Sequence, residues 1–87
     1  MTLEETIPLM LSNDWRDRLK AEYWQTRIRL EKLRDYERNC VEGNIAHDIY
    51  SQISQTEAME RYLAILGLRL REHEIRYEDE NEREDKE

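Results

Sequence analysis

The chain has 87 residues, 40% of them charged and 38% hydrophobic, and carries a formal net charge of −7. A chain this short builds a core that is only marginally adequate, so a second chain or a partner is the default source of further burial. Two glycines, one proline, no phenylalanine, and 43 of 87 residues drawn from Ala, Glu, Lys, Leu and Arg argue against a sheet protein and for long helices.

The single cysteine, Cys40, excludes an internal disulfide and fits a reducing compartment. No apolar run approaches the roughly 18 residues that cross a bilayer, and the N-terminus lacks the basic and apolar regions of a signal peptide. The expectation is a soluble, cytoplasmic protein with no membrane contact. The charge is unevenly spread: residues 76–87 hold seven acids against three bases, whereas residues 14–38 hold eight bases against six acids. Phosphate binding rewards concentrated positive charge, so direct nucleic-acid binding is disfavoured.

In chain order, residues 1–12 form an apolar arm. Thr2 to Glu5 suggests a capping box, and the short helical turn that follows is expected to break near Pro8. Ser12, Asn13 or Asp14 then caps a first long helix, 14–38, on which Leu19, Tyr23, Thr26, Leu30 and Leu33 recur at alternating steps of four and three. Residues 39–44 carry the turn-forming Gly43 and Asn44 and are expected to be the hairpin loop, with Cys40 a free loop thiol. A second helix, 45–77, continues the rhythm through Ile49, Met59, Leu63, Leu66 and Leu70, and residues 78–87 read as an acidic disordered tail. The fold class is all-α: an antiparallel two-helix hairpin over residues 13–77, coiled-coil-like and completed by self-association into a helical bundle.

Apolar residues also lie off this seam. Trp24 and Ile28 on the first helix, and Tyr62, Ile65 and Leu68 on the second, project away from it at 100° per residue. Two covers are open: the apolar arm of the same chain, laid over the overhang of the second helix, or a second hairpin or protein partner. The second is favoured, because large exposed apolar patches mark interfaces. Gly67, on the inner face, suggests close approach of a neighbour.

Chemistry is sparse. His47 and His73 stand in no metal-ligand spacing, so no metal or other cofactor is expected. The abundant carboxylates, with helical pairs such as Asp14/Arg18 and Glu57/Arg61, read as a solvated surface. No catalytic residues emerge and the chain is not expected to be an enzyme. Arg27, Arg34 and Tyr36 are candidates for holding a phosphate ligand through guanidinium forks and stacking.

Residues 15–71, with Trp15-Arg16-x-Arg18-Leu19, Glu22-Tyr23, Leu30-Glu31-Lys32-Leu33, and Gln55-x-x-Ala58-Met59-x-x-Tyr62-x-x-x-Leu66, resemble a family of small phage proteins named after a crAss-like phage protein. The resemblance implies two helices and a phage or prophage origin. It carries over no catalytic residue.

The function these features favour is that of a non-enzymatic phage accessory protein. It would act by protein–protein binding, as a homodimer or higher oligomer that inhibits a host factor such as a CRISPR or other antiviral defence component. Two alternatives are an oligomer that sequesters a nucleotide signal and a structural or assembly scaffold.

Overall fold

A computed structural model describes residues 1–43 and 49–78, and the side chains of residues 40–43 and 49 lie outside the description. Among the described residues the chain is all-helical: α1 (Leu3–Met10), α2 (Trp15–Gly43) and α3 (Ile49–Glu72). Both α1 and α3 pack on α2, and α1 does not touch α3.

The helix starts are set by side-chain caps. Thr2 accepts a hydrogen bond from the Glu5 amide at 3.2 Å, satisfying one free donor of α1. Pro8 sits inside α1, where a break was expected; it forfeits one backbone bond, and the helix ends two residues later. At the next start Asp14 accepts from the Arg16 amide at 3.0 Å, and Ser12 Oγ donates to Asp17 at 2.7 Å. The expected Asp14/Arg18 pair gives way to Asp14/Arg16 at 3.0 Å, and Arg18 donates to the Ser12 carbonyl at 2.7 Å.

α2 runs through Gly43, so the turn expected at 39–44 does not begin where Gly43 suggested, and the Cys40 backbone is helical. Asn44 and residues 45–48, with His47, lie outside the described residues, as do 79–87 of the acidic tail.

α2 and α3 are antiparallel. Trp15 meets His73 edge-on at 4.9 Å, Leu19 packs with Leu66 and Leu70, Arg34 pairs with Glu60 at 2.9 Å, and Thr56 donates to Glu37. Leu30, Leu66 and Leu70 are fully buried, whereas Tyr23, Leu33, Met59 and Leu63 are half-buried along the seam. Among the described residues no helix is long and apolar enough to cross a membrane.

The far end of the hairpin departs from expectation. α3 stops at Glu72, not at Tyr77, and does so through a complete helix-stop motif. Glu74 takes the left-handed conformation at φ 57°, the Glu74 amide bonds the Arg71 carbonyl at 3.1 Å, and the Ile75 amide bonds the Leu70 carbonyl at 2.9 Å. Ile75 and Tyr77 fold back onto Leu19, Leu66 and Leu70, so the chain supplies its own cover for the overhang. Tyr77 stacks edge-on against Tyr23 at 4.6 Å, and its carbonyl accepts a 2.7 Å bond from Trp24 Nε1. α1, by contrast, docks on α2: Thr6, fully buried, donates to the Leu3 carbonyl at 2.6 Å and accepts from Gln25 at 3.0 Å.

The left-handed position carries a residue with a Cβ, which costs about 1–2 kcal/mol relative to glycine. Glu74→Gly is therefore expected to raise unfolding stability by about 1 kcal/mol. Trp24→Phe, which leaves a buried carbonyl unpaired, is expected to lower it by about 1–3 kcal/mol, both read by urea denaturation.

Candidate functional site

Of the residues assigned to an interface, Trp24 is only 3% exposed, covered by its bond to Tyr77 and by the Arg27 guanidinium 4.7 Å above its ring. It belongs to the interior, because the returning chain and α1 occupy the back of α2, where Ala21 and Thr6 are also buried. Ile28 is half-buried. Tyr62, Ile65 and Leu68 behave differently: they are 42%, 51% and 48% exposed along the outside of α3. α1 does not reach them, so the arm is not their cover.

Tyr62 is also tied to α2, donating its hydroxyl hydrogen bond to the Glu22 carboxylate. That bond, followed by partial burial, raises its phenol above the ordinary 10.0, since ionisation would set two negative charges side by side.

The three proposed phosphate contacts do not converge. Arg27 is engaged by Trp24 and by Glu31 at 3.3 Å, and Arg34 by Glu60 at 2.9 Å. At 100° per residue these two arginines share one side of α2, and Tyr36 lies half a turn away. Tyr36 instead lines a cleft of about 310 Å³ between α2 and α3, with Arg29, Lys32, Leu33, Gln52 and Gln55. Arg29, Lys32, Leu33 and Tyr36 follow the i, i+3, i+4, i+7 pattern of a single helix face, a signal present in the sequence that a count of arginines does not reveal. Among the described residues no acid lines this cleft, and neither Arg29 nor Lys32 is ion-paired. The arrangement is two cations, an aromatic ring and two amides around an apolar floor, within the size range of small-molecule sites.

A second cleft of about 350 Å³ lies nearer the returning chain, lined by Tyr23, Glu60, Leu63, Ala64, Gly67, Arg71 and Tyr77. Arg71 there donates to the Tyr77 hydroxyl at 3.2 Å. A Cβ on Gly67 would meet Tyr23 at 3.6 Å and the Tyr77 hydroxyl at 3.7 Å, both ordinary contacts. Gly67 is thus not a close-approach position; it forms part of a cleft wall.

His73 stacks on Trp15, and the described residues contain no group of three or more His, Cys, Asp or Glu side chains arranged to hold a metal ion.

Fold and clefts together define a small helical hairpin protein with a basic, aromatic cleft and, among the described residues, exposed apolar faces on α1 and α3. Residues 13–72 match the model of the Sequestin family, and the chain belongs to that family. The match spans nearly the stretch on which the resemblance to a small phage family rests, and the family it establishes is Sequestin. No curated protein and no solved structure matches the chain.

Two outcomes follow from these contacts. Because the Tyr62 phenol is raised in the folded state, its contribution to stability is present below pH 10 and is lost as pH rises through the raised value. Tyr62→Phe is expected to flatten that alkaline limb in denaturation curves and to remove a phenol that titrates above the ordinary 10.0 from the ultraviolet titration. Gly67→Ala is expected to stabilise the fold by about 1 kcal/mol, the helix-propensity difference, with no strain penalty in thermal melts.

Proposed function

We propose that the protein acts stoichiometrically and without catalysis, holding a small anionic ligand of nucleotide type in the cleft between α2 and α3 and so removing it from solution. The observation that carries this reading is the pair of cations, Arg29 and Lys32, that make no ion pair among the described residues and lie beside Tyr36 in a chain of net charge −7. Nearby arginines are engaged by acids or rings, and these two are left to face the cleft. Guanidinium and ammonium groups bind phosphate oxygens, a tyrosine ring stacks a base, and the Gln52 and Gln55 amides suit base-edge hydrogen bonds. Membership of the Sequestin family is compatible with sequestration. In this reading the protein belongs to a phage or prophage and works in the host cytoplasm, where withdrawing a nucleotide signal would silence an antiviral defence response.

A second reading, blockade of a host protein, draws on the exposed stripe of Leu3, Ile7 and Met10 on α1, which is continuous with Leu11. Ile7→Glu with Met10→Glu would then abolish capture of a host protein from lysate. Unchanged capture would remove this reading.

The sequestration reading is tested by thermal shift and calorimetry with a panel of mono-, di- and cyclic nucleotides. At least one is expected to stabilise the protein at millimolar concentration and be recovered chemically unchanged. Arg29→Ala and Lys32→Ala are each expected to weaken binding about 10- to 100-fold, the worth of a charge-assisted hydrogen bond, and Tyr36→Ala about 5- to 100-fold for lost stacking. No shift with any nucleotide, or binding indifferent to all three substitutions, would sink the assignment.

A further inference from the structure

The outward face of α3 carries a pattern that reads the same from either end except for the sign of its charges. Arg61, Ile65, Leu68 and Glu72 are spaced by four, three and four residues, which places all four within a narrow arc of one helix. All four are exposed, and neither Arg61 nor Glu72 is ion-paired among the described residues. The midpoint of the set falls between Ile65 and Leu68, and reflection through it exchanges Ile65 with Leu68 and Arg61 with Glu72.

We infer that α3 is the contact of a two-fold symmetric dimer in which the α3 helices of two copies lie antiparallel in this single register. Turning one copy end over end about that midpoint puts Ile65 against Leu68 of the second copy and Leu68 against its Ile65. Each Arg61 then meets a Glu72. A symmetric contact counts every favourable pair twice, so one apolar step and one ion pair per chain become two of each. On the flank of the stripe, Tyr62 of one copy falls opposite Arg69 of the other, where the outward part of the ring meets a guanidinium.

Other arrangements of the same surface are penalised. Parallel pairing sets Arg61 against Arg61 and Glu72 against Glu72. A slip by one heptad toward either end sets a charged side chain against Ile65 or Leu68, and costs its desolvation without a partner. The charges therefore select orientation and register, while Ile65, Leu68 and Tyr62 supply the burial.

This dimer is independent of the ligand reading, and leaves the basic cleft open. Gln52, which lines that cleft, lies about half a helical turn from the stripe. The contact is only about three helical turns long, smaller than the roughly 1,600 Å² of a standard interface, so a dimer in the micromolar range is expected.

Sedimentation equilibrium on the full chain tests the inference, with circular dichroism to confirm that each variant keeps its helix content. The natural protein is expected to dimerise reversibly. Arg61→Glu alone and Glu72→Arg alone are each expected to weaken the dimer at least tenfold, because each sets like charges opposite one another at both ends. The double variant, Arg61→Glu with Glu72→Arg, is expected to return to within about threefold of the natural protein, because the exchanged pairs reform only in the antiparallel register. Ile65→Glu with Leu68→Glu is expected to be monomeric at every concentration. A natural protein that stays monomeric at millimolar concentration, single variants that dimerise normally, or a double variant no better than the singles would overturn the inference. A monomer whose capture of a host protein depends on Ile65 and Leu68 would overturn it too, and would assign the face to that protein.

Discussion

The contact on which the rest of the molecule depends is the meeting of Trp24 and Tyr77. Two helices packed along one line leave the end of the seam open around Leu19, Leu66 and Leu70. The left-handed turn at Glu74 reverses the chain there, which lets Tyr77 reach Tyr23 and present its carbonyl to Trp24 Nε1. One bond therefore satisfies an indole donor and a backbone acceptor that would otherwise be buried without partners. The core cluster of Leu19, Leu66 and Leu70 is closed by that return, not by another chain.

Closing this end internally determines what remains outside. α1 docks on α2 through Thr6 and Gln25, and the returning segment covers Trp24, so among the described residues the apolar surface left on α2 is Trp15, Tyr36 and the half-buried Ile28. α3 is covered on its α2 side only. Tyr62, Ile65 and Leu68 stay half-exposed for this reason, not because the segment is unusually apolar. The most hydrophobic stretch of the sequence is two surfaces back to back, one packed against α2 and one facing away from it.

The seam was legible from sequence because it depends on one number, the repeat of the helix. Leu19, Leu30, Leu66 and Leu70 follow from the four-three spacing, and each is buried. The off-seam residues were legible only as a set. Periodicity identifies Trp24 and Ile65 as equivalent, both pointing away from the partner helix, and is silent on which one a third element will cover. That third element forms through Glu74, a residue with no propensity for the left-handed turn it adopts, so the sequence held no glycine or asparagine to announce it. Periodicity alone carries α3 on to Tyr77 for the same reason. Gly43 acts in the opposite sense: it is a turn former that α2 runs through. For the cleft, counting arginines obscured the signal. Arg27 and Arg34 were singled out by type, yet ion pairing across and along the helices removes them, and the angular position of Arg29 and Lys32 relative to Tyr36 carries the information.

The chain's net charge sharpens what the cleft can hold. On the sequestration reading, two cations must attract an anion on a molecule of net charge −7, which at first sight works against binding. The two effects act at different ranges. At physiological ionic strength the Debye length is about 8 Å, so a ligand small enough to sit within the cleft feels Arg29 and Lys32 at contact, and most of the distant acids are screened. A long polyanion cannot restrict itself to that space, and beyond it Arg27 and Arg34 are already engaged by Glu31 and Glu60. On that reading a chain with one small basic cleft would favour a single nucleotide-sized anion over polymeric nucleic acid. A uniformly basic surface would be neutralised by polymeric nucleic acid before it met a scarce small signal, and a stoichiometric binder, which cannot turn over, depends on avoiding that competition.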